Sequence, residues 1–388
     1  MQSKRLRVLL FLAGFEAKNT VVEWVPYLAR FPVSFALAPI VKHGEIENLR
    51  ESLCTFQKES RLQIYPVIVK MPNIQLRSAL NLGLLANDLY SIYRAFALAR
   101  PNVVVCFYVK HAYPLVILKK LLGFCLCVYA MGDDINLGKS VIENLLRKLV
   151  YVNSDKIFAV SEDLKLKIQK VHNSDVDVVP LGTDANFFKP LENRIALRRK
   201  WGLSPTDLVI LTVCRLDKRK GVDLLIKSVT KLNNDNARLL IAGLGEEAVP
   251  LRSLAESLQI HTKVSFLGFR TKSELRELYN IADLFVLASY SEGLPRVLIE
   301  AMSCGCVCIA TRVGDVTKVV EDGCNGFLVS PGSPDEICAA IVHYSSLSEG
   351  EREKIRMNTR PTIIRSFNSQ KLVDKMMARI LLACNGCA

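Results

Sequence analysis

Ser289-Tyr290-Ser291-Glu292-Gly293-Leu294-Pro295-Arg296-Val297-Leu298-Ile299-Glu300-Ala301-Met302 is the stretch that decides how this chain folds. Residues 284–287 just before it form an unbroken apolar run of strand length, and from Val297 onward apolar side chains recur at helical spacing. A buried strand therefore ends in a glycine-containing turn, and a helix begins. Pro295 is expected at the first helical position, where its missing N–H costs nothing. The amides of that first turn point beyond the strand's C-terminal end, ready to receive a phosphate or a sugar hydroxyl. Glu292 lies just before the helix and Glu300 in its second turn. Two carboxylates so near a diphosphate repel it unless hydroxyl donors occupy them. Taken alone, two glutamates eight residues apart are equally the mark of a capped surface helix.

Working outward, Val213-Cys214-Arg215-Leu216-Asp217-Lys218-Arg219-Lys220-Gly221 follows the same strand-to-helix grammar. Arg215 stands at the end of a strand, and Lys220 five residues on, in the loop before the next helix. Two permanent cations so placed can face one diphosphate and stabilise the charge that develops on it as a leaving group. A basic loop without such context is a solvated turn.

Strand and helix patterns alternate along the rest of the chain, which implies α/β units with parallel sheets. Strands are expected at 7–12, 35–39, 64–69, 103–107, 126–129, 156–160 and 177–179, with a helix over 20–30. Ser161 is a good N-cap for a helix over 162–170. Charged and loop-forming residues cluster over 188–205, after which the pattern restarts. Strands are then expected at 209–213, 238–242, 264–267, 284–287 and 306–310, with helices over 222–232 and 249–258. This divides the chain at 188/189 into two doubly wound domains, with ligands expected beyond the C-terminal strand ends.

At 388 residues the chain is long enough for two ordinary domains. The basic start and the apolar run 8–13 imitate a signal peptide, but the run is short and no small-residue cleavage site follows, so a first strand is expected there. The most apolar region, 96–130, is broken by Arg100, Lys110, His111, Lys119 and Lys120, short of the roughly 20 residues that span a bilayer. The twelve cysteines sit largely in apolar runs and are expected to act as small hydrophobes. Cys125 and Cys127, like Cys304 and Cys306, are one residue apart rather than two, so neither pair is a C-x-x-C metal or redox motif. A cytoplasmic location is expected. The net charge of +13 is spread over both halves, with 24 Lys and Arg against 16 Asp and Glu in residues 1–190 and 27 against 22 beyond. A solvated basic surface, an anionic lipid surface and an anionic substrate all fit this excess. Nucleic acid does not, because no aromatic platform is interleaved with the basic residues.

Together these motifs resemble the glycosyl transferases group 1 family, the retaining enzymes with the GT-B fold. The likeness runs from about Lys156 to the C-terminus. It rests on the Glu292/Glu300 block, the Arg215/Lys220 loop, Phe266-Leu267-Gly268, Ala301-Met302-Ser303-Cys304-Gly305, Asn325-Gly326-Phe327-Leu328-Val329, and the 179–190 stretch with Asp184 and Phe188. The resemblance implies two Rossmann-like domains facing across a cleft. Residues 1–188 would bind the acceptor, 189–366 the nucleotide sugar, and 367–388 would form a helix crossing back to the N-terminal domain. It implies sugar transfer from a nucleotide-diphosphate sugar to a glycan or lipid-linked acceptor, in polysaccharide or glycolipid synthesis. Retention of configuration is implied, with no metal and no cofactor, and so is a location in the cytoplasm or at the inner face of the membrane. Carried onto matching positions, Arg215 and Lys220 bind the pyrophosphate, Glu300 the ribose, and Glu292 the donor sugar. Gly293, Leu294 and Val297 line the same donor site, the Leu267, Gly268 and Arg270 loop borders the base, and Gly14 lets the phosphate approach the first strand.

The N-terminal half departs from the pattern. Met131 in Met131-Gly132-Asp133-Asp134 stands where many members carry a histidine near the donor sugar. His111 is a candidate replacement imidazole. Asp133 and Asp134 could be taken for a metal-binding pair, but adjacent aspartates point apart and a turn is expected. Cys214 and Asp315 stand where glycine is commoner. Gly243-Leu244-Gly245-Glu246-Glu247-Ala248 is a G-x-G-x-x-A turn after a strand, so a nicotinamide oxidoreductase is an alternative. Its expected acidic partner is missing, with Gly268, Phe269 and Arg270 in that place. A nucleotide-sugar epimerase, a glycan phosphorylase and an inactive binding subunit are further alternatives.

Overall fold

A computed structural model describes residues 7–12, 23–24, 26–28, 30–31, 34–39, 93, 96–131 and 141–384. The chain divides into two compact units, Met1–Pro180 with Gln370–Ala388, and Leu181–Ser369.

The first unit is built on β1 (Arg7–Leu12), β2 (Ser34–Pro39), β3 (Val103–Phe107), β4 (Cys125–Ala130), β5 (Lys156–Ala159) and β6 (Val176–Val178). They pair in the order β2-β1-β3-β4-β5-β6, every pair parallel. The strand expected at 64–69 and the turn at Gly14 lie outside the described residues, as do Gly132, Asp133 and Asp134. Ser161 Oγ accepts the Leu164 N–H at the start of the helix Glu162–Val171, the cap its sequence position implied.

The second unit holds β7 (Leu208–Val213), β8 (Ala237–Ala242), β9 (Val264–Gly268), β10 (Leu284–Leu287), β11 (Val307–Thr311) and β12 (Gly326–Val329), all parallel. Their order, β12-β11-β10-β7-β8-β9, reverses direction between β7 and β10. At such a reversal the connections leave on opposite faces, so the C-terminal ends of β7 and β10 flank a crevice. Both motif-bearing loops, 214–221 and 288–295, emerge there.

The continuous apolar runs follow from this layering. Val209, Leu211 and Val213 enter one core with Phe285 and Leu287, whereas Ile210 joins Leu284 and Val286 in the other. A sheet covered on both faces has no position for a polar alternation. The helix Arg194–Lys200 is fastened to the sheet by the buried Arg198, whose guanidinium lies 2.7 Å from Asp283 Oδ2 and also donates to the carbonyls of Ile281, Pro205 and Asp207. Phe188, the first residue of the charged stretch, is buried in the second unit's core with its ring 6.0 Å from that of Tyr279.

The helix that follows the Glu292 turn is Arg296–Ser303, with Pro295 as its N-cap rather than its first residue. Its ψ of 113° is extended, so Pro295 precedes the helix, which begins one residue later than expected, at Arg296. The helix Ser369–Cys384 groups with the first unit, where Lys375 Nζ donates to Val178 O (2.8 Å) and Asp374 meets Arg30 (2.7 Å). Among the described residues, no helix is long and apolar enough to cross a membrane.

Candidate active site

Each arm of the crevice is a strand end folded back tightly on its neighbour. After β7, Asp217 Oδ1 accepts the Arg219 N–H and caps the short turn Lys218–Lys220. Gly221 then takes a left-handed φ of 59°, and a Cβ there would sit 2.2 Å from Ala288 O at the end of β10. The Tyr290 N–H completes the join by donating to Arg219 O at 2.7 Å. The 288–293 turn is backed in the same way from its other side. Gly314, at φ 51°, brings its backbone so close that a Cβ would meet Glu292 O at 2.0 Å, and the Asp315 N–H donates to Gly293 O at 2.9 Å. Asp315 therefore holds the loop through its backbone while its side chain turns to Lys318 (2.7 Å).

The two loops meet through their side chains. Lys220 Nζ donates to Glu292 Oε1 at 2.7 Å, and Ser289 Oγ donates to the same oxygen at 2.6 Å. The Glu292 side chain is 10% exposed and that of Lys220 is 21% exposed, so the pair is sheltered yet reachable. Behind them, Thr311 Oγ1 donates to Ser289 O at 2.6 Å and so fixes the serine. The arrangement puts one ammonium and one carboxylate side by side at the mouth of a parallel sheet. The ammonium suits a phosphate oxygen, and the carboxylate suits a sugar hydroxyl. Gly293 and Leu294 carry the backbone past this pair into a helix that no side chain caps. Leu294 and Val297 pack partly into the core beneath it.

Arg215 and Glu300 stand differently. Arg215 is largely exposed and reaches Glu246 at 3.3 Å, on the turn after β8. Arg219 is held by Asp217 at 3.0 Å, which keeps the Asp217 carboxyl below its usual range. Glu300 is buried, and its Oε2 accepts the hydroxyl of the buried Tyr279 at 3.0 Å. Burial first, and then the Glu300 charge, push the Tyr279 hydroxyl well up, so it remains a donor. Gly268 ends β9 with φ 70°, and its carbonyl accepts the Gly243 N–H at 2.8 Å. Arg270 bends back on Leu267 O (3.0 Å) and pairs with Glu274 (2.9 Å), which shapes the turn beside Gly268. Burial pushes the Cys214 thiol up to about 12, which makes it a neutral packing group at the base of the β7 loop. Met131 is buried at the end of β4 and His111 lies in the turn after β3, both in the first unit.

The glycine pair after β8 has a local explanation. A Cβ on Gly243 would lie 1.8 Å from Cys214 O, and one on Gly245 would lie 2.1 Å from Leu216 O. Leu216 N–H donates to Leu244 O, and Glu247 N–H donates to Leu216 O. Both glycines are there so that the β7 and β8 loops can touch, which accounts for the G-x-G-x-x-A spacing without a dinucleotide. Ser289, Thr311, Tyr279 and Glu246 were not singled out from the sequence. Ser289 was within reach of inference, being three residues before Glu292, whereas the other three arrive from separate strands and helices.

Two doubly wound α/β units with ligand-type loops at a strand-order reversal define the class to which this protein's architecture belongs. Residues 193–362 match the family model of the glycosyl transferases group 1. Over 245 residues it is 31% identical to the uncharacterized glycosyltransferase MJ1607 of Methanocaldococcus jannaschii, covering 58% of this chain and 62% of that protein. Over 234 residues it is 30% identical to the D-inositol 3-phosphate glycosyltransferase of Mycobacterium tuberculosis, covering 58% and 48%. The chain thus spans about half to three fifths of the length of these relatives. Two solved structures share the fold over nearly the whole chain. The glycosyltransferase of Rickettsia africae superposes with a TM-score of 0.81 at 16% identity, covering 98% of this chain and 99% of that one. Anabaena Alr3699/HepE in complex with UDP superposes with a TM-score of 0.80 at 18% identity, covering 97% and 99%. These neighbours are GT-B glycosyltransferases, and the chain has that fold.

Proposed function

We propose that the chain is a retaining glycosyltransferase that takes a sugar from a nucleotide-diphosphate donor without a metal or an organic cofactor. The observation that carries this is the Lys220–Glu292 pair, 2.7 Å apart where the ends of β7 and β10 flank the switch point. The group 1 match over 193–362 and the UDP complex of a protein with the same fold support it.

In this proposal Lys220 and Arg215 take the pyrophosphate, each giving up a carboxylate partner of the ligand-free chain for phosphate oxygens. Glu292, released from Lys220, accepts from hydroxyls of the transferred sugar, while amides near Gly293 and Leu294 and the first turn at Val297 hold the donor from below. Glu300 accepts from the ribose, steadied by Tyr279. The turn at Gly268 borders the base. The bond from the anomeric carbon to the β-phosphate oxygen breaks as the acceptor oxygen bonds to the same face. The acceptor's proton passes to the departing diphosphate. The cations lower the barrier because they meet a charge that grows in the transition state.

One observation favours a lipid-linked acceptor. The helices Tyr113–Leu122 and Val141–Asn153 pack side by side in the first unit. Their outward stripes carry Ile117, Leu121, Leu145, Leu149 and Val152, all exposed, with the exposed Lys120 and Lys148 among them. Apolar side chains interleaved with lysines suit the interface of an anionic membrane. The chain in this proposal works at the inner face of such a membrane, on glycan or glycolipid synthesis.

The test is thermal stabilisation and hydrolysis across a panel of UDP-, GDP- and ADP-sugars, with NADH as comparator. One nucleotide class should stabilise the wild type and leave Lys220→Ala unmoved. Stabilisation by NADH but by no nucleotide sugar would overturn the proposal. Transfer that is lost in chelator and restored by magnesium or manganese would overturn its metal-free part.

A further inference from the structure

The first unit contains a cluster that sugar transfer does not use. Cys125 and Cys127 stand on either side of Leu126 in β4 and so project from the same face of the sheet. Cys384 is the last residue of the helix Ser369–Cys384. The three sulfurs all lie within 4.8 Å of one another, and all three residues are buried. Among the described residues, no other group of three or more His, Cys, Asp or Glu side chains brings its ligand atoms so close. Cys304, Cys306 and Cys308 are equally buried and equally near in sequence, yet they do not converge in this way. Cysteine content alone therefore does not account for the cluster.

The spacing matches a specific chemistry. A metal–thiolate bond to a d10 cation is about 2.3 Å long, so sulfurs sharing one ion lie roughly 4 Å apart. Small rotations of buried side chains separate the observed arrangement from that one. The surroundings favour a cation too. The carbonyl end of the Ser369–Cys384 helix carries partial negative charge at the cluster. The S–H groups of Cys125 and Cys127 turn toward the Cys384 sulfur. Lys119 and Asp155 both stand near Cys384, and the Lys119 ammonium pairs with Asp155 Oδ2 at 2.6 Å. That same oxygen accepts the N–H of Leu126, the residue between the two strand cysteines, at 2.7 Å and so fixes the strand at the cluster.

We propose that Cys125, Cys127 and Cys384 bind one thiophilic d10 metal ion and that this ion fastens the C-terminal helix to β4. Three sulfur–metal bonds form, and the thiol protons pass to solvent. Two polar ties of the same helix, Lys375 to Val178 O and Arg379 to Asp177, lie on β6, so the ion adds an anchor on a second strand, β4. The ion takes no part in the donor chemistry at Lys220 and Glu292, which belong to the other unit.

The experiment is a titration of the full, reduced chain with Cd(II) under anaerobic conditions, followed by the ultraviolet sulfur-to-cadmium charge-transfer band and by thermal unfolding. One equivalent should bind per chain and raise the unfolding midpoint. Cys384→Ser and Cys127→Ser should each weaken binding by on the order of 100-fold or more, since each removes a direct ligand. Cys324→Ser and Cys338→Ser, in the second unit, should bind as the wild type does. Absence of saturable Cd(II) binding to the wild type overturns the proposal whatever the variants do. Undiminished affinity in Cys384→Ser, which alters only the end of a helix, overturns it as well.

Discussion

Lys220 Nζ and Glu292 Oε1 are 2.7 Å apart although 72 residues separate them in sequence, and each is delivered by its own strand of one sheet. Neither loop holds its side chain alone. Ser289 supplies the second donor to Glu292, and Thr311 fixes Ser289 from the neighbouring strand β11.

That dependence sets the first prediction. Lys220→Ala removes a cation that would face the leaving diphosphate, and Glu292→Ala removes the proposed acceptor for hydroxyls of the donor sugar. Each should lower kcat/KM for transfer by about 10²- to 10³-fold, the scale of one lost electrostatic stabiliser. The double variant should fall by less than the product of the two, because the partners touch. Steady-state rates with the nucleotide sugar found in the panel check this, and near-normal rates in both single variants would end the assignment.

Much of this was legible beforehand. The strand runs 103–107 and 284–287 appear where expected, because residues buried on both faces of a parallel sheet leave an unbroken apolar trace. Lys220 and Glu292 stand out in the sequence as loop residues at corresponding strand ends. Their direct contact was not legible, because it depends on strand order, and nothing in the sequence says that β10 lies beside β7. Nor was the Cys384 approach to β4, since three residues on one strand and one helix end meet only in the folded chain. Pro295 shows the finer limit: proline suits both the N-cap and the first helical position, and local ψ decides between them.

Gly314 supports the site by having no side chain. With φ 51° and Glu292 O at 2.0 Å from any Cβ, Gly314→Ala must displace the 292–293 turn. A stability loss of about 1–3 kcal/mol is expected, together with loss of transfer. Gly350→Ala is the control, because nothing lies within 4 Å of its Cβ position and alanine is the better helix former. Thermal unfolding of the two variants should separate them clearly, and equal midpoints would mean that the 292–293 turn yields freely.

Tyr279→Phe tests the proposed ribose contact. It deletes only the hydroxyl that donates to Glu300 Oε2, leaving the ring packed between Phe188 and Phe285. A net hydrogen bond of about 1 kcal/mol corresponds to roughly a five-fold weaker Kd for the nucleoside diphosphate. Isothermal calorimetry reads this directly. An unchanged Kd would remove Glu300 from the donor site.

Acid should loosen the second unit through Glu274. The Thr271 backbone and hydroxyl, followed by Arg270, hold its carboxyl down from 4.5 to about 2 in the capping box at Lys272–Ile281. Because the folded pKa lies below the unfolded one, the stabilisation is fully present above about 4.5 and is lost as pH falls toward 2. Glu274→Gln should therefore unfold at a lower temperature than the wild type at pH 7, and the two midpoints should converge as the pH approaches 2–3. A gap that stays constant with pH would show that the carboxylate charge contributes nothing.

The apolar stripes of the first unit give the last prediction. Leu121 and Leu149 are exposed, each one residue from a lysine, Lys120 and Lys148. Burying such side chains in a bilayer interface is favourable at about 25 cal/mol per Å² of apolar surface, and each lysine adds about 1 kcal/mol near an anionic surface. The chain should therefore sediment with vesicles containing phosphatidylglycerol and much less with pure phosphatidylcholine, and salt should weaken the binding. Leu121→Glu with Leu149→Glu should abolish it, since both carboxylates would have to enter the interface against like charge. Hydrolysis of the nucleotide sugar in solution should persist in this variant, because Lys220 and Glu292 belong to the other unit. Equal sedimentation of wild type and variant would show that the stripes face a protein partner or solvent, and the case for a lipid-linked acceptor would fall with them.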